Sequence, residues 1–168
     1  MKRFFIIALV VLAAMTGNNA MAQKAKFGNV DYAAIMQATP DWTAAQTELQ
    51  ALKDTLTQEG EMLQAEFQKA YEDFQKKQPT YSEAVAKVKQ KDLEDMYKRL
   101  QSFAESAQSQ LDTKEAALLE PIQTKVLNAI KEVAKANNYT YVFDVSTQLY
   151  NSENDNLTTK VKEHLGIK

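Results

Sequence analysis

The sequence predicts an α+β protein that is mainly α: a long antiparallel helical hairpin, or coiled-coil arm, projecting from a small β body. Two long segments, 42–78 and 82–136, repeat apolar residues every three or four positions, as one face of a helix does. A short Pro-containing stretch separates them, and residues 139–145 alternate as a strand does. With 4 Gly and 3 Pro in 168 residues, the chain has too few turn formers for a many-turned β-sandwich.

Composition excludes most enzyme classes. The chain has no Cys and one His, which excludes thiol nucleophiles, zinc–thiolate and iron–sulfur sites and multi-His metal centres. The motifs GxxxxGK[ST], GxGxxG, GxSxG and HExxH do not occur. Asp31 and Asp144, beside the predicted strands, fit capping or turn roles better than catalysis. We therefore expect no enzyme activity, no catalytic residue, no bound metal and no cofactor.

Residues 1–22 have the three parts of a secretory signal peptide. A positive start is followed by an apolar run and then by small residues at the −3 and −1 positions of a cleavage site. The run is shorter than the roughly 20 apolar residues that a membrane span needs. We expect cleavage after Ala22, which leaves residues 23–168 with 18 basic and 22 acidic side chains and a net charge of −4. This balance gives no signature of nucleic-acid binding.

The first long helix is predicted over residues 42–78. Thr39 is a candidate N-cap, and Pro40 suits the first helical position. Gly60 interrupts the apolar seam and predicts a soft or bent point in the helix. The seam residues are Ala45, Leu49, Leu52, Leu56, Leu63, Phe67, Ala70 and Phe74.

The second long helix is predicted over residues 82–136, after a capping box formed by residues 80–83. It is longer than the first helix, so Pro121 is expected to kink it where it leaves the hairpin. The hairpin then spans residues 42–120. The predicted seam residues are Val85, Val88, Met96, Leu100, Phe103, Ala107, Leu111, Leu118, Ile122, Val126, Ile130 and Val133.

The rest of the mature chain, residues 23–41 and 121–168, is predicted to form the body. It contains a short strand around residues 27–30, the strand at 139–145, a third short strand at Leu149–Tyr150 and a terminal helix after Leu157. Three short strands and one helix leave sheet edges and an apolar face open. We therefore expect the body to oligomerise. The predicted interface residues are Phe27, Val30, Tyr141, Phe143 and Val145.

The region around the tip of the hairpin is basic although the mature chain is acidic. Residues 76–91 contain five lysines and one glutamate, a net charge of +4. Phe67, Phe74 and Phe103 also fit a purely structural role in the seam. Tyr71 and Tyr97 lie off the seam and favour a surface that faces a partner. The candidate binding residues are Phe67, Tyr71, Phe74, Tyr81, Met96, Tyr97, Phe103, Lys76, Lys77, Lys87, Lys89 and Lys91.

These features together resemble the OmpH/Skp family of periplasmic chaperones for outer-membrane proteins. The resemblance spans the whole mature chain, and it rests on the order of its parts more than on any one motif. Its parts are the signal peptide, residues 27–31, the helical hairpin, and residues 120–122, 130–134, 141–144, 149–150 and 157–158.

The resemblance implies a homotrimer in which strands of three chains build a β-barrel body and three hairpins project around a cavity. It implies an ATP-independent periplasmic holdase, which binds unfolded outer-membrane proteins in that cavity and prevents their aggregation in transit to the outer membrane. The candidate binding residues would then contact these clients. A periplasmic coiled-coil spacer or adaptor in an envelope complex is the alternative.

The chain departs from the resemblance in its charge. The best-known members of the family are strongly basic, whereas this sequence has a pI of about 5.5. This argues against general electrostatic capture and against association with lipopolysaccharide or a membrane surface, and it leaves hydrophobic binding in a cavity unaffected.

Overall fold

The computed structural model describes residues 25–167, so the predicted signal peptide at residues 1–22 lies outside the described residues. The fold is the mainly helical α+β arrangement that the sequence predicts. In chain order its elements are β1 (Phe27–Val30), α1 (Tyr32–Ala38), α2 (Pro40–Lys77), α3 (Glu83–Ala136), β2 (Tyr141–Asp144) and α4 (Thr158–His164). Short 3-10 turns lie at Gln78–Thr80, Val145–Thr147 and Glu153–Asp155.

Helix α2 begins where its start signal predicts. The hydroxyl of Thr39 accepts a hydrogen bond from the Trp42 N–H at 3.2 Å and donates one to the Met36 carbonyl at 2.7 Å. Pro40, which has no N–H to leave unpaired, occupies the first turn. The buried hydroxyl of Thr39 therefore ends α1 and starts α2 at the same residue, which fixes the direction in which the arm leaves the body.

Helices α2 and α3 form an antiparallel hairpin. Contacts across it pair residues in opposite order: Lys114 bonds to Glu48, Phe103 packs on Gly60, and Tyr97 packs on Phe67. All eight predicted seam residues of α2 are buried or half-buried, which confirms the seam. With 38 and 54 residues, the two helices are about 57 and 81 Å long at about 1.5 Å per residue.

The predicted seam of α3 is wrong at its first two positions. Val85 and Val88 are 43% and 58% exposed, whereas Ala86 and Leu93 are half-buried. Steps of three, four and three residues back from Met96 reach Ala86 by way of Leu93, and the burial of these two residues shows that the helix follows this phase. Steps of four, four and three residues back from Met96 would instead reach Val88 and Val85. These two apolar residues thus led to a wrong prediction of which face of α3 is buried at its start.

The predicted capping box at residues 80–83 is also wrong, because the N-cap of α3 lies two residues further along the chain than Thr80. Ser82 is the N-cap of α3, and its hydroxyl accepts from the Val85 N–H at 3.4 Å. Thr80 instead donates its hydroxyl to the Lys77 carbonyl at 2.7 Å, which helps to close the end of α2. Further along, α3 continues unbroken through Pro121, which is exposed.

The body is organised around a parallel pairing of β1 with β2, in which Phe27 lies opposite Tyr141 and Val30 opposite Asp144. Helix α3 ends at Ala136, as predicted, and Asn138 follows it at φ 59°, in the left-handed conformation that commonly ends a helix. The predicted third strand at Leu149–Tyr150 is wrong. Both residues lie outside any strand in the described chain and are 109% and 87% exposed.

One hydrophobic cluster lies beneath this pairing and joins the base of the arm to the body. Helix α1, which the sequence analysis did not predict, contributes Ile35 and Met36 to it. Tyr32 packs against the cluster, and its burial, together with the nearby Asp144 carboxylate, raises the pKa of its hydroxyl. The buried members are Val30, Ile35, Met36, Ala45, Ile122, Val126, Ala129, Val133, Leu157 and Val161.

Two glycines give a matched test of packing in the body and in the arm. A Cβ on Gly28 would lie 2.8 Å from Cδ1 of Tyr139 and 3.2 Å from Cδ1 of Leu157, so Gly28→Ala should lower the free energy of unfolding by about 1–3 kcal/mol. A Cβ on Gly60 meets only the Phe103 ring, whose Cε1 lies 3.2 Å away. There, the gain in helix propensity of up to about 1 kcal/mol should leave stability equal or higher.

Urea unfolding followed by far-UV circular dichroism, at one protein concentration, measures both variants. The expected order is Gly60→Ala at or above the wild type and Gly28→Ala well below it. A Gly28→Ala variant as stable as the wild type would show that Tyr139 does not cover β1 as described.

Candidate functional site

The candidate binding residues divide into a seam set and a surface set. Phe74 is 9% exposed and lies between the two helices, and Phe67, Tyr81, Met96 and Phe103 are half-buried. Phe67, Phe74 and Phe103 therefore all have the structural role in the seam that the sequence left open for them. The surface residues of this set are Tyr71, Tyr97, Lys76, Lys77, Lys87, Lys89 and Lys91.

An aromatic face spans both helices in the outer part of the arm. The Phe67 ring stacks on Tyr71 of the same helix, with ring centroids 6.2 Å apart, and lies 6.0 Å from Tyr97 of α3. Tyr71 and Tyr97 remain 42% and 50% exposed. One half-buried phenylalanine thus supports two amphipathic tyrosines that face solvent, as the off-seam spacing predicts.

Lysines surround the tip of the hairpin. Lys77 pairs with Asp73 at 3.9 Å and Lys89 with Asp92 at 3.3 Å, each within one helix. Within residues 25–167, the tip lysines Lys76, Lys87 and Lys91 make no ion pair. Residues 76–91 themselves have a net charge of +4, and acidic residues border them on both helices, at positions 72, 73, 92, 94 and 95.

A cavity of about 300 Å³ opens between the two helices just below the tip turn. The sequence does not predict this cavity, because a gap between helices depends on the volumes of facing side chains and not on their spacing. The rings of Phe74 and Tyr81 lie side by side at its wall, with centroids 6.2 Å apart. The lining residues are Ala70, Asp73, Phe74, Lys77, Tyr81, Lys89, Asp92, Leu93 and Met96.

The body presents a second aromatic surface. Phe27 stacks on Tyr141 and on Phe143, at 5.6 and 6.3 Å between ring centroids, and these rings are 53%, 55% and 43% exposed. Of the other predicted interface residues, Val30 is 4% exposed and belongs to the core of the chain itself, and Val145 is half-buried in a 3-10 turn. We call Phe27, Tyr141 and Phe143 the aromatic patch.

The acidic residues beside the strands have the structural roles that the sequence favours. A carboxylate oxygen of Asp31 accepts from the Ala34 N–H at 2.8 Å and caps α1, and one of Asp144 accepts from the Ser146 N–H at 3.0 Å. His164 lies 2.9 Å from Glu132 on the surface. Within residues 25–167, no group of three or more His, Asp or Glu side chains is placed to hold a metal ion.

These features define a class of protein that presents a long helical arm from a small α/β body. In residues 25–167, no helix combines the length and apolar composition that crossing a membrane requires. The profile of the family described as outer membrane protein (OmpH-like) matches residues 26–165. The chain belongs to this family.

A solved structure has the same fold. It is the crystal structure of a protein from Caulobacter crescentus CB15 described as a putative outer membrane chaperone (OmpH-like). This chain matches it with a TM-score of 0.75 at 12% sequence identity, over 84% of this chain and 83% of that one. No curated protein matches the sequence significantly. Membership in the OmpH-like family supports a chaperone role in general and a periplasmic location, and the family is typically non-enzymatic.

Proposed function

We propose that this protein is an ATP-independent periplasmic holdase, exported by the signal peptide at residues 1–22, that binds unfolded outer-membrane proteins between the arms of a homotrimer. The observation that supports this most directly is the aromatic face in the outer arm. Tyr71 and Tyr97 contribute nothing to the core of the chain, and they are held in place by Phe67. Half-exposed tyrosines bind apolar segments of varied sequence, because each ring offers an apolar face and a polar hydroxyl.

The arm also buries few side chains for its length. Its buried side chains beyond the base are Leu56 and Phe74 alone among the described residues of α2, although the helix extends for 38 residues. Because the arm buries so few side chains, most of its surface is available to contact a partner. Several arms that each offer weak apolar contacts would hold one unfolded chain by multivalent binding, without energy from a nucleotide.

The aromatic patch supports assembly of the body. A two-stranded parallel sheet is unusual in isolation, because parallel sheets are normally covered on both faces. Here Phe27, Tyr141 and Phe143 leave three stacked rings open on one face. We propose that copies of this chain cover these rings, with three copies as the family resemblance implies.

One prediction of the proposed function concerns client binding. Tyr71→Ser together with Tyr97→Ser removes the exposed rings and should weaken client binding roughly tenfold while helicity stays unchanged. The assay dilutes a urea-unfolded outer-membrane β-barrel protein into residues 23–168, with no nucleotide added, and follows turbidity. The double variant should need a correspondingly higher concentration to keep the client soluble.

The matched control keeps the rings. Tyr71→Phe with Tyr97→Phe retains the aromatic area and should suppress aggregation as the wild type does. Equal suppression by the serine and phenylalanine variants would overturn the role of the aromatic face. If the wild type itself leaves the client insoluble and instead copurifies with one folded envelope protein after crosslinking, the chain is a structural spacer or adaptor.

The second prediction concerns assembly. Light scattering of residues 23–168 should give the mass of three chains, and Phe143→Asp should reduce it to one, because a buried unpaired carboxylate costs several kcal/mol. Asn154→Asp adds the same charge at an exposed position of the body and should leave the mass unchanged. A Phe143→Asp variant that keeps the mass of three chains would show that the aromatic patch is not the interface.

A further inference from the structure

Two adjacent apolar residues of the body are left uncovered by the rest of the described chain. Leu149 and Tyr150 lie between the 3-10 turns at Val145–Thr147 and Glu153–Asp155, and they are 109% and 87% exposed. Burial of side chains of this size is favourable, and neither is buried here. A leucine next to a tyrosine, both in full contact with water, indicates a surface that another molecule covers. We call residues 148–152 the exposed segment.

The polar groups of the exposed segment are also without partners. In the described chain, the N–H and C=O groups of residues 149–151 make no backbone hydrogen bond. Oε1 of Gln148 is buried and has no hydrogen-bond partner among residues 25–167. The same holds for Oδ1 of Asn29, whose Nδ2 donates to the Ser152 carbonyl at 3.4 Å. Buried polar groups are normally paired, so this part of the body is incomplete in a single chain.

The aromatic patch needs a covering surface that differs from the patch itself. Three copies close into a ring through head-to-tail contacts, in which two different surfaces of each chain meet, whereas patch against patch would give a two-fold pair. Outside the patch, the exposed large apolar residues of the described body are Leu127, Leu149 and Tyr150. Leu127 stands alone on α3 and is 46% exposed, so the exposed segment offers the larger apolar surface.

The exposed segment and the aromatic patch lie at neighbouring places on the body. Ser152, at the end of the segment, accepts from Asn29 of β1, and Asn29 lies opposite Phe143 of the patch in the sheet. Two surfaces on opposite ends of a molecule would favour an open filament. Two neighbouring but different surfaces favour a small closed ring instead.

We propose that Leu149 and Tyr150 of one copy pack on the aromatic patch of the next copy, and that three such contacts close the ring. This inference rests on the proposed homotrimer and assigns the second surface of its interface. The unpaired backbone groups of the exposed segment can bond at the same time to the open edge of β2, which pairs only with β1 in the described chain. Addition of an extended segment to a sheet edge is a common mode of protein recognition.

Polar substitution of the two residues tests the contact. Leu149→Ser with Tyr150→Ser should reduce the mass of residues 23–168 in light scattering from three chains to one, at a concentration where the wild type is fully assembled. Both side chains are uncovered in the single chain, so these changes remove almost no contact within it. A double serine variant that keeps the mass of three chains would overturn the proposal.

Two control variants match this test. Leu149→Met with Tyr150→Phe keeps the apolar surface of the segment and should keep the mass of three chains. Leu127→Ser removes the other exposed large apolar side chain of the described body and should also keep that mass. Loss of assembly in the methionine and phenylalanine variant, or in Leu127→Ser to the same degree as in the serine variant, would count against the exposed segment.

Introduced cysteines distinguish a head-to-tail contact from patch against patch. The chain contains no Cys, so a disulfide can form only between introduced residues. Phe143→Cys and Leu149→Cys, one of them enlarged by a tag, are mixed in urea, refolded together and oxidised. A disulfide-linked pair with one copy of each variant is expected on a denaturing gel, with little linkage in either variant alone. Absence of the mixed pair from an oligomer of three chains would overturn the proposal.

Failure of this contact is distinguishable from failure of the proposed function. If the wild type has the mass of one chain, the proposed homotrimer fails and the contact fails with it. If Phe143→Asp gives one chain while the double serine variant keeps three, the aromatic patch is the interface and the exposed segment is not its partner. If the serine variant has one chain and keeps a client as soluble as the wild type does, the contact stands and client binding between three arms fails.

Discussion

The hydrophobic cluster at the base of the arm is the contact on which the rest of the molecule depends. Ile35, Val126 and Val161 are fully buried, and they come from α1, α3 and α4, which are far apart in the sequence. The parallel pairing of β1 with β2 draws the two ends of the described chain over this cluster. A hairpin of two long helices buries too little surface to fix its own geometry, so the base determines where α2 starts and where α3 ends.

Burial decreases steeply from the base to the outer arm. The cluster contains ten buried residues, whereas the α2 seam beyond Ala45 is buried only at Leu56 and Phe74, and half-buried elsewhere. At Gly60 the contact between the two helices consists of this glycine and the half-buried ring of Phe103. Segments with few buried apolar contacts open at lower free energy than a core does. The arm therefore joins a stable attachment to an adaptable surface, which is the combination that binding of varied unfolded chains requires.

The parts of this structure that follow from local chemistry could be predicted from the sequence, and those that depend on contacts between segments could not. The α2 seam, the Thr39 cap and the end of α3 at Ala136 each follow from the spacing of apolar residues or from the residues at the helix ends. Helix α1 has seven residues, too few for a period to appear. The orientation of Val85 and Val88 depends on which face of α3 meets α2, and the tip cavity depends on the small volume of Ala70 opposite larger side chains.

The arrangement of ion pairs explains why the tip differs from the base. The two salt bridges between α2 and α3 in the described chain, Asp41–Lys125 and Glu48–Lys114, lie near the base, where they add to the packing of the helices. At the tip, the pairs Asp73–Lys77 and Lys89–Asp92 each stay within one helix. Charges that do not link the helices leave the space between them open and remain free to meet a partner. An acidic protein thus has a net charge of +4 over residues 76–91, because its charges are sorted by position along the arm.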